Sequence, residues 1–226
     1  MQGFVKLDDV EFTVNYLKTH YQITDLIQVD GSKFILKDVD VFDQNHNKCL
    51  ANGYLSHNLF KDFEVNIEMD SRKFQFLNTN EKDNSMYYGS GIASGKVLLK
   101  GPVESPQIKI TAITEPGTKI FIPITDETEL SEQKFISFVQ DKEIKESPVD
   151  KSIELSGISM DFQLEVTPDA EVQLIFDPTI GDIVKCYGNA NLKMYINTLG
   201  YFNMYGNYTL DKGDYLFTFK DVINKK

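Results

Sequence analysis

The chain has 226 residues and a formal charge of −11, with 41% hydrophobic and 25% charged residues, so it can bury a substantial core and is not a disordered tail. That acidity, with no local cluster of Lys or Arg to offset it, argues against nucleic acid as a partner and leaves any lipid contact to apolar interior surface rather than to anionic headgroups. Sixteen Phe and 11 Tyr with no Trp, recurring beside β-branched residues in short runs, are the composition of strands.

In chain order the dominant pattern is alternation with period two, the mark of a strand with one buried face. Val10, Phe12, Val14 and Tyr16 form an early run, and Asp30-Gly31-Ser32 supplies a turn after it. Asn52-Gly53 reads either as a two-residue hairpin or as part of a strand running through Ala51 and Leu55. Phe63, Val65, Ile67 and Met69 follow, then Gly91, Ala93, Gly95, Val97 and Leu99 with Ser90, Ser94, Lys96 and Lys100 as polar alternates. Lys100-Gly101-Pro102 and Glu115-Pro116-Gly117 then punctuate runs at Ile108, Ile110, Ala112 and at Ile120, Ile122, Ile124.

Residues 126–156 break the pattern. They are rich in Asp, Glu, Lys and Ser, and one apolar island at Phe135, Ile136, Phe138 and Val139 leaves a short helix open. This polar excursion or linker divides the chain into a first β section, 1–125, and a second, 157–226, that continues the same sheet. The second section alternates through Ile158, Met160, Phe162, Leu164 and Val166, then Val172, Leu174 and Phe176, then Ala190, Leu192, Met194 and Ile196, then Met204, Gly206, Tyr208 and Leu210. Turns are expected at Asp177-Pro178 and Asp211-Lys212-Gly213-Asp214. Setting Gly117 on Gly213 also sets Ile108 on Met204 and Ala112 on Tyr208, a weak echo of one strand-turn-strand unit by another. About a dozen strands joined by short turns predict mostly antiparallel neighbours.

With one apolar face on every strand and almost no helix to cover it, the sheet has to pair with another, close, or fold over. Alternation alone leaves these three open. Gly91, Gly95, Gly188 and Gly206 fall within strands, which leans toward strong curvature. Tyr88-Gly89, Tyr187-Gly188 and Tyr205-Gly206 suggest aromatic cover over strand glycines.

The parts of an enzyme are not assembled, and no cofactor is expected. His20, His46 and His57 are scattered, no Gly-x-Ser-x-Gly elbow occurs, and the glycine-rich stretch around Ser90 leads into no helix that could hold a phosphate. Asp169, Glu171, Asp177 and Asp182 lie close in sequence but lack calcium-loop spacing, and no metal is expected. Glycoside hydrolysis by paired carboxylates would bring aromatic sugar platforms, and Trp is absent. Cys49 and Cys186 lack a CxxC neighbourhood and read as buried free thiols, with a single bridge open to them in an oxidising compartment. Met1-Gln2-Gly3-Phe4-Val5-Lys6 lacks the basic and apolar segments of a signal peptide and no stretch is long enough to span a bilayer, as expected of a cytosolic protein or of an excerpt.

Longer motifs carry a resemblance. Gly53-Tyr54-Leu55-Ser56-His57-Asn58-Leu59-Phe60-Lys61-Asp62-Phe63 and Phe74-Gln75-Phe76-Leu77-Asn78-Thr79 are followed in order by Tyr88-Gly89 through Gly101-Pro102 and by Thr114-Glu115-Pro116-Gly117-Thr118. Phe162 through Glu171, Ile175-Phe176-Asp177-Pro178, Asn203-Met204-Tyr205-Gly206 and Gly213-Asp214-Tyr215-Leu216-Phe217 complete the series. Together, over roughly residues 50 to 226, they resemble the C-terminal region of TamB-like proteins from Bacteroidota, in the AsmA-like, bridge-like lipid-transfer superfamily.

The resemblance implies an all-β fold: an elongated, curved, antiparallel-rich sheet folded over lengthwise into a β-taco, an open groove with an apolar interior. It implies a periplasmic location in a Gram-negative bacterium, with the full-length protein anchored in the inner membrane. The implied function is outer-membrane biogenesis, through phospholipid acyl chains held in the groove during inner-to-outer membrane transport. The alternative is a chaperone-like module that assists outer-membrane β-barrel proteins by strand augmentation, and a BamA- or TamA-like barrel is the protein partner that either role implies. A surface adhesin or carbohydrate-binding sandwich is a third reading, which requires two sheets packed over a dry core. The chain lacks the family's anchor and stops at Asn224-Lys225-Lys226, where members continue, so an excerpt or fragmentary gene product is expected. About a dozen strands at roughly 4.8 Å spacing would cover only about 60 Å.

Groove-lining residues expected on this basis are Val65, Ile67, Val97, Leu99, Ile108, Ile110, Phe162, Leu164, Val172, Leu174, Leu192, Met194, Met204 and Phe217. For each, plain core packing is the competing role.

Overall fold

The structure is a computed structural model that describes residues 2–124, 157–177, 182–198 and 201–216; the polar excursion assigned to 126–156 lies outside these. The described residues form twelve strands and no helix: β1 (Gln2–Val14), β2 (Thr19–Asp30), β3 (Lys33–Asp43), β4 (Lys48–Asn58), β5 (Lys61–Thr79), β6 (Tyr88–Pro102), β7 (Gln107–Thr114), β8 (Lys119–Pro123), β9 (Ser159–Val166), β10 (Glu171–Asp177), β11 (Asp182–Asn197) and β12 (Phe202–Leu216). All twelve belong to one curved sheet in which consecutive strands β1 to β7 pair antiparallel.

Beyond β6 the topology departs from a simple meander. β7 pairs with β6 along Ala93–Lys100, and β8 takes up the same edge of β6 at Tyr88–Ser90. β9 and β10 divide one edge of β11 in the same way. These two broken lanes pair with each other in parallel, β7 with β9 and β8 with β10. Their breaks are matched: residue i pairs with i + 52 both before the interruption, Gln107 with Ser159, and after it, Lys119 with Glu171. Six strands therefore close a ring of pairings around the two stacked turns.

Threonines join those turns. Thr114 Oγ1 accepts the Thr167 amide at 2.9 Å, and the Glu171 amide donates to the Thr118 carbonyl at 2.9 Å. Thr114, Thr118 and Ala170 are all buried at the seam.

Two sequence expectations change here and one open alternative closes. Glu115-Pro116-Gly117 does turn, but the chain resumes along its own lane, so the unit is not a hairpin. Its supposed echo at Asp211–Asp214 lies inside β12, where Tyr187 faces Lys212 and Gly188 faces Leu210, leaving Asp211 as a bulge. Asn52-Gly53, read from sequence as either a hairpin or part of a strand, lies inside β4, opposite Glu68 and Ile67.

Bulges supply the curvature. In β1, β3 and β5 an extra residue enters the ladder and the one that follows the kink, Asp9, Asp38 or Lys73, has φ of 58°, 53° or 52°. Each displaced amide finds a side chain on the next strand: Asp9 N–H donates to Thr24 Oγ1 at 3.1 Å, Asp38 N–H to Asn52 Oδ1 at 2.9 Å, and Lys73 N–H to Ser94 Oγ at 2.9 Å. One device thus recurs in every second strand, and each use bends and twists the sheet further.

Bent in this way, the sheet covers its own apolar face. The outer face is polar, with Lys96 bridging Glu68 at 3.3 Å, while alternate residues Ile67 and Met69 pack inward around Tyr21, Val39, Val41, Cys49, Ala51 and Phe74. Tyr87 precedes β6 and Phe202 opens β12. These strands run in opposite directions on opposite sides of the lane set, yet the two rings lie 5.8 Å apart. Tyr16, from the β1–β2 turn, reaches the Tyr87 hydroxyl at 3.1 Å, and both tyrosines pack on Ile158, Met160 and Ile196. Diagonal corners of the sheet therefore meet over its concave side.

Close lane contact also fixes Gly95, which has φ of 155° and faces Ala112; a Cβ there would lie 2.2 Å from the Thr111 carbonyl oxygen. Gly95→Ala should lower stability by more than about 2 kcal/mol in urea unfolding, because the clash is with backbone and not with a movable side chain.

Candidate functional site

The concave side encloses a cavity of about 600 Å³, within the range of small-molecule sites, about 300–1,000 Å³. Its walls follow the period-two alternation: Ala93, Val97 and Leu99 on β6, Ile108, Ile110 and Ala112 on β7, and Ile120 and Ile122 on β8. Met160, Phe162, Leu164 and Val166 continue it on β9, Val172 and Leu174 on β10, Cys186, Leu192, Met194 and Ile196 on β11, and Met204 and Tyr208 on β12. The breaks in the two central lanes do not disturb this pattern, because the matched offset keeps both on one face.

Of the expected lining residues, Val97, Leu99, Ile108, Ile110, Phe162, Leu164, Val172, Leu174, Leu192, Met194 and Met204 border the cavity. Val65 and Ile67 share the same face but lie beyond it: Val65 is buried, and Ile67 packs against the β2–β5 core. Phe217 lies outside the described residues. A second set was not expected at the cavity: Leu17, Tyr21, Phe76, Tyr87 and Phe202, with Val14 from the first alternating run, reach it from distant parts of the sheet. Phe76 sits at a register shift between Gln75 and Leu77, so strict alternation along β5 would not find it. The others depend on corner closure, which leaves no local signal.

Among the described residues no charged side chain lines the cavity. Its few polar atoms mostly face elsewhere. The Tyr21 hydroxyl donates to the Gln75 carbonyl at 3.0 Å, Thr118 Oγ1 donates to the Ile92 carbonyl at 2.7 Å, and Thr114 Oγ1 meets Thr167 Oγ1 at 3.1 Å. The buried Tyr208 hydroxyl has no partner among the described residues, and its ring covers Gly188, with Cε1 2.9 Å from where a Cβ would stand. Burial pushes the Tyr21 phenol up to about 12 and raises those of Tyr87 and Tyr208. Both cysteines are free. Burial, with Asp70 nearby, pushes the Cys49 thiol up to about 12, and burial raises that of Cys186. The interior is therefore neutral at physiological pH and offers contact area, not directional chemistry.

Behind the β8–β10–β11 wall, Glu171 ties the outer face together. Its carboxylate accepts the Tyr187 hydroxyl at 2.5 Å and Gln173 Nε2 at 2.5 Å, and pairs with Lys119 Nζ at 3.1 Å and Lys185 Nζ at 3.0 Å. Burial alone would raise its pKa, but the donors from Tyr187, Lys185, Gln173 and Lys119 outweigh that and hold it down to about 2. Glu171 was weighed from sequence as one of four clustered carboxylates; here it is saturated by donors from three strands. Among the described residues no group of His, Cys, Asp and Glu is placed to hold a metal, and no helix is long and apolar enough to cross a membrane.

In comparison with known proteins, residues 38–226 match a family model described as the TamB C-terminal domain. No curated protein and no solved structure matches the chain.

Because the folded Glu171 value lies below the ordinary glutamate value, its ion-pair network adds stability that is full above about pH 4.5 and fades as pH falls toward 2. Glu171→Gln should remove that share of acid sensitivity: unfolding midpoints of variant and parent should differ most near neutral pH and converge near pH 2, as measured by denaturant titration across pH.

Proposed function

The chain belongs to the TamB C-terminal domain family, and from that premise we propose that its concave cavity binds phospholipid acyl chains and carries out no catalysis. TamB-type proteins act in outer-membrane biogenesis and are associated with the bacterial envelope and periplasm. In this reading the chain is one section of a periplasmic conduit for lipid moving from the inner to the outer membrane, and the full-length protein is anchored in the inner membrane. A TamA- or BamA-like barrel is the partner at the outer membrane.

A single observation carries the proposal: a cavity of about 600 Å³, bounded by alternate residues of seven strands, with no charged lining residue among the described residues. Each methylene transferred into such a space gains about 0.8 kcal/mol without needing a fixed polar contact. Affinity then grows with chain length, and the ligand can shift along the lanes without breaking a specific bond, as conduction requires. Six unbroken strands, two broken lanes, β11 and β12 make ten lanes, so this section spans roughly 48 Å at about 4.8 Å per lane.

A second reading rests on the sheet edges. Among the described strands β1 and β12 each pair on one side only, and they display Phe4, Phe12, Tyr205 and Leu210 at 41–72% exposure. Open edges of this length can accept an incoming strand of a barrel protein by β-augmentation. Crosslinks from β1 or β12 to nascent barrel proteins, with no lipid in the cavity, would favour that role.

Native mass spectrometry of the purified chain should show bound phospholipid. Leu174→Glu should remove the lipid while leaving the β-sheet circular dichroism intact, since it places a charge on the cavity wall. A cavity that stays empty when the parent chain is incubated with phospholipid would overturn the proposal.

A further inference from the structure

The β4–β5 hairpin turns on Leu59 and Phe60. Asn58 pairs with Lys61 across it, so the loop is two residues long, and φ is 51° at Leu59 and 60° at Phe60. Positive φ at both central positions is the type I′ pattern, which favours Asn-Gly and disfavours bulky side chains. Here it holds two large apolar ones, left 86% and 72% exposed. They strain the turn, and apart from one face of the Phe60 ring they bury little within the chain.

The tip is nevertheless built rigidly. The His57 ring stacks on Phe60, with centroids 4.4 Å apart and planes at 16°, and His57 Nδ1 accepts the Phe60 amide at 3.1 Å. Phe34 and Phe63 flank His57 at 5.6 Å and 5.7 Å. From Phe63 an apolar strip runs along the inner face of β5 through Val65 and Ile67 to Met69, which borders the cavity. The neighbouring charges are Lys33 and Lys61 against Asp62, Glu64 and Glu104, the last following Val103, whose amide donates to the Phe63 carbonyl at 3.0 Å, so no basic excess surrounds the tip.

We propose that the Leu59–Phe60 tip is a wedge that inserts into the interfacial zone of a phospholipid bilayer and seats the end of the inner apolar strip against a leaflet. This rests on the acyl-chain reading of the cavity, with which the strip is continuous. A convex tip of two residues offers far less than the roughly 800 Å² per partner of a stable protein interface, whereas two apolar side chains on a rigid support suit insertion several ångströms into a bilayer. With no basic excess at the tip, the contact gains nothing from anionic lipid, and on uncharged bilayers it is insensitive to salt.

Flotation with uncharged vesicles of phosphatidylcholine and phosphatidylethanolamine tests this with the whole chain. The parent should float with the vesicles equally at low and high salt. The double variant Leu59→Asn, Phe60→Gly should lose at least tenfold in vesicle affinity while its thermal midpoint holds or rises, because those residues suit the turn. Equal flotation of parent and double variant, or no flotation of the parent, would overturn the wedge. Phospholipid copurifying in the cavity is scored separately: the double variant should retain it, and its absence from the parent would count against the cavity reading and not against the tip. Phe60→Asn alone, which retains Leu59, should fall between the two; vesicle affinity equal to that of the parent would again overturn the wedge.

Discussion

Everything in this structure follows from a sheet whose strands are apolar on one face, with no helix among the described residues to cover it. A flat sheet of ten lanes would leave that face in water, at a cost of about 25 cal/mol for each Å² exposed. The chain resolves this by bending. Bulges in β1, β3 and β5, each with its displaced amide held by Thr24, Asn52 or Ser94, turn a twisted sheet into a coiled one until Tyr87 and Phe202 meet across it. Closure at the corners, however, does not fill the middle. Facing walls of Leu, Ile and Met stay too far apart to interlock, and the cavity is the remainder.

Two kinds of polar fastening keep that shape from collapsing. At the β3–β4 turn the Asp43 carboxylate is 3% exposed and accepts the amides of Asn45, Asn47 and Gln75 at 2.8–2.9 Å. It thus pins β3 to the bend in β5, and a buried carboxylate satisfied in this way is costly to displace. On the far wall, Glu171 does similar work from outside, drawing β8, β10 and β11 together through Lys119, Lys185 and Tyr187. Neither fastening enters the cavity. Most directional bonds lie in the turns and on the convex face; apart from the Tyr16–Tyr87 and Tyr21–Gln75 bonds at its margins, the concave face is left to nonspecific apolar contact.

The sequence made some of this plain and concealed the rest for identifiable reasons. Ile108, Ile110, Leu164 and Leu174 could be placed on the inner face because the side-chain period of a strand is two and needs no tertiary information. Lane breaks could not be read this way. Glu115-Pro116-Gly117 has the chemistry of a hairpin turn, and only pairing with Thr167–Ala170 in the neighbouring lane lets the chain continue in its original direction. Asp211-Lys212-Gly213-Asp214 has equally strong turn chemistry and makes only a bulge, because β11 offers a continuous edge to pair with. Tyr16, Tyr87 and Phe202 were unreadable as neighbours, since their meeting is a property of the whole sheet's coil. The family model reaches back to residue 38, yet the bulge device continues to Asp9, so the geometry extends further along the sheet than the match.

The paired interruptions of β7/β8 and β9/β10 have a consequence for how such a protein can change. Each turn fills the gap left by the other, and the constant offset of 52 holds only while both contribute the same number of extra residues. A single insertion in one turn would slide half of a lane by one position and exchange its inward and outward side chains, turning Phe121 inward and Ile120 and Ile122 outward in β8, or Gln173 inward and Val172 and Leu174 outward in β10. Length changes at these two sites are therefore tolerated only in tandem. Among relatives, the two segments should lengthen or shorten together although some fifty residues of chain separate them.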